Sequence, residues 1–206
     1  MPHTPWNENY AAGSLPWDTG EADPQLVRFV EAGGVKPGRA LEVGSGTGTD
    51  AIWLAERGFD MLGLDVAPLA VERARAKAGA GARCRFEVAD FLADTPAADA
   101  YDFVYDRGCW HVFDEPAERT RFAARVAATL KPGGVWLSLS GSTEGGPRDI
   151  GPPRRSVRDI AEAIEPELEL LDLHTFDFEL PIGSARAWAC VSRRRTAPAV
   201  PSSRHD

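Results

Sequence analysis

The chain has 206 residues, enough for one sizeable α/β domain and too few for two ordinary ones. Hydrophobic residues at 43% beside 26% charged fit a globular chain, and no apolar run approaches the about 18 residues of a membrane span. With 31 acids against 23 bases the net charge is −8, which argues against a general nucleic-acid surface, and the N-terminus lacks the parts of a signal peptide.

In chain order, Trp6, Tyr10 and Trp17 come first, the last of them inside Leu15-Pro16-Trp17-Asp18-Thr19-Gly20. Leu26, Val27, Phe29 and Val30 are spaced for one face of a helix over 24–32. The apolar run 39–43 predicts a strand, followed by the turn Gly44-Ser45-Gly46-Thr47-Gly48 and a helix over 49–57 that Gly58 closes. A second strand over 60–64 ends in Asp65. The next helix, 68–78, has Pro68 in its first turn. Strand 84–88 precedes Ala89-Asp90-Phe91, and strand 101–105 precedes Asp106 and Arg107-Gly108-Cys109-Trp110-His111. Phe122, Val126 and Leu130 mark a helix over 116–130, then Lys131-Pro132-Gly133-Gly134 turns into a fifth strand over 135–140. The segment 141–155 is rich in Gly and Pro and leaves the end of that strand, where open α/β sheets bind ligands. A helix over 156–164 and a closing antiparallel hairpin, 168–173 with 185–191, complete the fold, and 196–206 lacks a packing face. Strands alternating with helices predict an α/β fold with a mostly parallel, doubly wound sheet.

The glycine turn carries the first chemical signal. Glycines lack Cβ and tolerate positive φ, so backbone N–H groups can come close to a ligand. The dinucleotide fingerprint needs its third glycine one residue later, where Thr49 stands. Glu42, ahead of the turn, suits a cationic ligand better than a pyrophosphate. Asp65 stands where an α/β nucleotide fold places the acid that accepts from both ribose hydroxyls. Asp90 and Phe91 offer an acceptor for an adenine amino group and a ring to pack on it. Any one acid at a strand end is often a plain turn residue. Asp65, Asp90 and Asp106 in phase with the glycine turn point instead to one ligand.

These motifs, with the Lys131-Pro132-Gly133-Gly134 turn, resemble the class I S-adenosylmethionine-dependent methyltransferases over residues 37–193. The resemblance implies a Rossmann-like seven-stranded sheet of order 3-2-1-4-5-7-6, its last strand antiparallel, with helices on both faces. It implies S-adenosylmethionine as cofactor, leaving as S-adenosylhomocysteine. Cofactor contacts are implied from Glu42, Gly44, Ser45, Gly46, Asp65, Val66, Asp90, Phe91 and Asp106. The chain then divides into an aromatic cap and helix (1–36), the methyltransferase domain (37–193) and a disordered tail (194–206).

The N-terminal aromatics narrow the resemblance. Aromatics ahead of a Pro-Trp-Asp-x-Gly turn are similar to those of small-molecule thiol and halide methyltransferases, the group around thiopurine S-methyltransferase and the plant thiocyanate methyltransferases. In that group they close over the cofactor. This implies cofactor contacts from Trp6 and Trp17, with Tyr10 in place of a tryptophan. A cation over an indole face gains roughly 0.5–2 kcal/mol. The alternative is a plain apolar cap on the sheet end. Where the plant enzymes place a tyrosine after the fourth-strand acid, this chain has Arg107. That residue either sets a positive charge beside the acceptor or pairs with an acid such as Asp18 and pins the lid. His111 is the base candidate of the four histidines, with a local hydrogen bond as its alternative.

The expected activity is in-line methyl transfer to a small molecule, first a thiol, which needs no strong base, and otherwise an oxygen or nitrogen. A nicotinamide-linked oxidoreductase is disfavoured by the early third glycine and by Glu42. A non-catalytic partner built on this fold would show a damaged cofactor site. Cys84, Cys109 and Cys190 form no zinc pattern and suggest reduced thiols in a cytoplasm, with no metal. The expected partner is a small molecule, without nucleic acid or membrane, for a monomer or homodimer.

Overall fold

Helical crossovers set the direction of the sheet. The computed structural model describes residues 6–13, 15–94, 96–147, 151–180 and 183–196. In it α3 (Thr49–Glu56) links β1 (Arg39–Val43) to β2 (Asp60–Asp65), and α4 (Pro68–Ala78) links β2 to β3 (Cys84–Val88). After β4 (Tyr101–Arg107), α5 (Pro116–Thr129) leads to β5 (Leu130–Gly141). A helix between strands returns the chain to its starting end, so β1 to β5 pair in parallel. After α6 (Val157–Ile164), β6 (Leu168–Leu180) and β7 (Gly183–Arg194) form a hairpin, and β7 pairs antiparallel with both β6 and β5. The order is β3-β2-β1-β4-β5-β7-β6. This is the order that the resemblance implies.

The chain runs outward from β1 through β2 to β3 and then resumes at β4, on the other side of β1. That makes the β1/β4 boundary the topological switch point, where the carboxyl ends of the strands open a crevice. Register places Glu42 beside Tyr105 across this boundary. Strand alternation then sorts the side chains by face. Leu41, Val43 and Val104 join Phe122 and Trp136 in the core under α5 and α6. Ala40, Phe103 and Tyr105 join Leu54 and Val71 in the core under α3 and α4. A ring as fully buried as Phe122 contributes about 1.5–3 kcal/mol of transfer free energy.

The structure differs from the sequence expectation in four places. α1 (Trp6–Ala12) has no counterpart in the sequence reading; its Tyr10 packs on Ala67 and Ala70 at the start of α4. β5 begins at Leu130, paired with Tyr101, and the ladder shifts register between Tyr101 and Phe103. The Lys131-Pro132-Gly133-Gly134 turn is therefore taken up within the strand. β6 and β7 are longer than expected because Phe176 and Phe178 keep the period-two pattern going on the inward face. Finally, Arg194 still belongs to β7, and residues 197–206 of the expected tail lie outside the described residues.

The segment after β5 is tied at its neck. Ser142 bridges to Arg155, and Arg155 N–H donates to the Gly141 carbonyl at 2.8 Å. Ser156 then caps α6, accepting from Asp159 N–H while the Asp159 carboxylate accepts from Ser156 N–H. Among the described residues no helix is long and apolar enough to cross a membrane.

Candidate active site

The glycine turn is built around close approaches, one of them at Gly48, where a Cβ would lie 2.5 Å from the Phe86 ring. Gly44 has φ +72°, and a Cβ there would lie 2.8 Å from the Cys109 Cβ. Gly46 has φ +54°, and a Cβ there would stand 3.1 Å from the Tyr10 hydroxyl. Any side chain at either place would be both strained and crowded. Backbone hydrogen bonds hold the turn: the N–H groups of Gly44 and Ser45 donate to the Leu64 carbonyl at 2.8 and 2.9 Å.

Asp65 completes that anchoring. One carboxylate oxygen accepts from Gly46 N–H and the other from Ala67 N–H, both at 2.8 Å. Each oxygen keeps a second lone pair, so a ligand with two adjacent hydroxyls can still be met. Burial pushes this carboxyl above its usual value, against the N–H groups of Ala67, Gly46 and Val66. Val66 follows with 39% of its surface exposed, an apolar side chain left uncovered at the end of β2.

Glu42 is 3% exposed, and its Oε2 has no hydrogen-bond partner. The Ser45 hydroxyl is likewise buried without one. An orphaned buried acceptor costs about 1–3 kcal/mol, and more when charged. Burial first and Asp50 second push the Glu42 carboxyl well above the carboxylate range, while Ala51 N–H and Arg107 act the other way. Asp50 is itself raised by burial to about 6. Glu42 Oε2 lacks a donor, and a ligand with an ammonium group would supply one. The cradle fits S-adenosylmethionine in this respect.

The same acidic pocket absorbs Arg107. Tyr105 donates to Asp50 at 3.2 Å, and Asp23 N–H donates to the other Asp50 oxygen at 2.8 Å. Arg107 Nε donates to Asp23 at 2.6 Å, Nη1 donates to the Trp17 carbonyl at 2.9 Å, and the guanidinium lies over the Phe178 ring. Of the two arrangements open to Arg107 in the sequence, the structure has the pairing with an acid of the N-terminal segment. Its partner is Asp23 rather than Asp18. Asp18 accepts from the Thr47 hydroxyl at 2.8 Å, and Lys77 donates to Thr47 and Thr49.

Asp106, expected among the cofactor contacts, is turned into the core. It is 0% exposed, because alternation along β4 turns it to the face opposite Tyr105 and Arg107. It accepts from the N–H groups of Cys109 and Trp110 and from Trp136 Nε1, so it organises the turn that follows β4. Burial nevertheless pushes it up to about 6. Phe91, expected beside an adenine, is 5% exposed, and its ring packs on Phe122 at 4.8 Å. Asp90 stays half-buried beside it and accepts from Leu92 N–H.

His111 is 5% exposed and accepts from Gly141 N–H through Nδ1 at 2.8 Å. An accepting Nδ1 puts the proton of the neutral ring on Nε2. The lone pair needed for a base is thus occupied by the backbone, and the ring ties β5 to the 3-10 turn Trp110–Val112. Arg155 strengthens that tie by donating to the His111 carbonyl at 2.7 Å. Cys109 packs against Gly44, and burial pushes its thiol well up.

The three N-terminal aromatics come together. Trp6 meets Trp17 edge-on at 5.6 Å, Tyr10 meets it at 6.3 Å, and the Trp17 indole N–H donates to the Tyr10 hydroxyl at 3.4 Å. α1, which carries Trp6 and Tyr10, is tied down where Leu69 N–H donates to the Asn7 side chain and Arg73 donates to the Tyr10 carbonyl. Tyr10 therefore sits directly over the glycine turn. Asp23, Asp50 and Tyr105 went unread in the sequence. For Asp23 a signal existed: an acid before Pro24 is a helix-start pattern, and its carboxylate does accept from Gln25 N–H.

Comparison with known proteins places the chain by sequence and fold. A model described as a methyltransferase domain matches residues 40–134. "Probable thiol methyltransferase 2" of Arabidopsis thaliana is 32% identical over 192 residues, which cover 91% of this chain and 83% of that protein. A 2-heptyl-1-hydroxyquinolin-4(1H)-one methyltransferase of Mycobacteroides abscessus is 30% identical over 157 residues, 74% of this chain and 68% of that one. A solved structure described under the conversion of a disulfide bond into a thioacetal group during echinomycin biosynthesis superposes with a TM-score of 0.76. It is 29% identical and covers 87% of this chain and 85% of its own.

Proposed function

The chain belongs to the class I S-adenosylmethionine-dependent methyltransferases, and from that premise we propose that it methylates a small-molecule thiol. The cofactor, when bound, supplies an electrophilic methyl group on a sulfonium. The chain's own residues bind, orient and exclude water. Glu42 with Ser45 takes the ammonium end, Asp65 the ribose hydroxyls, and Val66 with Asp90 the base. Gly44 and Gly46 leave room for the ligand's middle, and Trp6, Tyr10 and Trp17 cover it. Aromatic faces favour a cation, and covering the site removes the water that would screen it.

One observation carries the choice of acceptor: the base that an oxygen or nitrogen acceptor needs is not at hand in His111, whose Nδ1 lone pair is held by Gly141 N–H. A thiol ionises near pH 8.5 and needs little help, whereas an alcohol does need its proton removed in step with attack. The thiol named for the Arabidopsis relative supports the same choice. A hydroxylated heterocycle is the second reading, favoured by the name of the Mycobacteroides relative.

Matched thiol, phenol and amine acceptors, incubated with S-adenosylmethionine and followed by mass spectrometry, test the proposal. Methylation of the thiols, rising with pH as they ionise, supports it. Turnover confined to phenols or amines overturns it in favour of the second reading.

A further inference from the structure

Asp23 stands where the N-terminal segment joins α2 (Pro24–Glu31), and it is buried. Its backbone N–H reaches Asp50 on α3, one carboxylate oxygen caps α2, and the other takes Arg107 on β4. Arg107 then reaches past Asp23 to the carbonyl of Trp17. One guanidinium thus joins β4, the start of α2 and the backbone of the aromatic cover, across 84 and 90 residues of sequence.

We infer that the Asp23–Arg107 pair is a latch that holds residues 6–22 over the glycine turn, which makes both of them positioning residues for methyl transfer. This rests on the reading that Trp6, Tyr10 and Trp17 cover the cofactor. Two features separate a latch from an incidental ion pair. First, it is desolvated, so loss of either partner strands a buried charge. Second, the Trp17 carbonyl and the Asp23 carboxylate share the same guanidinium, so the cover and the pair are held or released together. Other ties, Asp18 to Thr47, Asn7 to Leu69 N–H and Arg73 to the Tyr10 carbonyl, keep a released segment attached. Release therefore frees the cover without unfolding the sheet.

The test compares the wild type with Arg107→Lys, Asp23→Asn and the double variant. Arg107→Lys keeps the charge and loses the two-pronged reach, and Asp23→Asn keeps an α2 cap. Hydrogen–deuterium exchange on the ligand-free proteins reads the latch directly. Exchange over 6–22 should quicken roughly tenfold or more in each variant, with β1 and β4 peptides unchanged. S-Adenosylhomocysteine should dissociate roughly tenfold faster or more, raising KM for the cofactor while kcat at saturation stays within about threefold. The double variant should be no worse than the worse single one, since both remove the same tie.

Unchanged exchange over 6–22 in both single variants overturns the latch, as does faster exchange spread through the sheet in both, which marks a merely structural pair. If Asp23→Asn alone loosens the sheet, Arg107→Lys decides between these outcomes. A wild type that binds no S-adenosylhomocysteine fails on the cofactor reading instead, and the ligand-free exchange still decides the latch.

Discussion

Replacing Glu42 by Gln should move stability and cofactor affinity in opposite directions. Glutamine keeps the shape of the side chain and removes the ionisable group from a pocket where Asp50 and Asp65 already act on it. The sign for stability follows from the raised carboxyl. Its folded value lies above the unfolded one, so the folded protein holds the proton more tightly, and stability falls as pH rises through that window. Each unit of such a shift corresponds to about 1.4 kcal/mol. As pH rises beyond the ordinary carboxylate range Glu42 becomes a net cost to the ligand-free fold, so Glu42→Gln should raise the melting temperature more at pH 8 than in acid. The gain should vanish below the ordinary carboxylate range, near pH 4.

Binding should suffer by contrast. A charge-assisted contact to an ammonium is worth about 1.5–3 kcal/mol, or roughly 10- to 150-fold in the dissociation constant. Calorimetric titration with S-adenosylhomocysteine measures this, and 5′-methylthioadenosine, which lacks the amino-acid end, is the internal control. The variant should lose affinity for the first and keep it for the second. Equal losses for both would place the ammonium elsewhere, and a fall in melting temperature at pH 8 would refute the claim that the ligand-free pocket is strained by its charge.

Three further outcomes are expected. Asp65→Ala should weaken cofactor binding at least about tenfold, and it should also lower the melting temperature, because Gly46 and Ala67 lose their acceptor. Gly44→Ala should destabilise the fold by about 1 kcal/mol or more in denaturant titration, and Cys109→Ala should not rescue it, since the Cβ of Cys109 is what the new methyl meets. Asp106→Asn should cost about 1–3 kcal/mol with cofactor affinity little changed in the folded protein, because its amide must face at least one of three converging N–H donors; Trp136→Phe should recover part of the loss.

The sheet was legible because its signals are local. β1, β3 and α4 occupy the residues that their apolar periods mark, and the right-handed crossovers leave few ways to arrange them. α1 was not legible, because seven residues with only Trp6 and Tyr10 as large apolar groups make no period of their own. Its helix depends on docking against Ala67 and Ala70, a tertiary cause. The site divides in the same way. The glycine turn, Asp65 and Glu42 announce themselves by spacing within one βα unit. Arg107 and Asp106 could not be told apart by position, since both lie at the end of one strand. What separates them is the face of the sheet that each one meets.

That difference of face explains why the end of β4 can serve two purposes at once. Odd positions there, Tyr105 and Arg107, look towards Glu42 and the start of α3, where acids outnumber cations and the guanidinium is a needed counter-charge. The even position, Asp106, looks towards Trp110 and Trp136, where N–H donors converge on it. A one-residue slip of β4 would exchange them, burying a cation among donors and an acid among acids. Both faces would be destabilised together, so the register of β4 is specified by its polar residues as well as by Phe103 and Val104. The buried acids near the cleft are therefore more than a cost carried for ligand binding. They also help select the one alignment in which the glycine turn, the acidic pocket and the aromatic cover face one another.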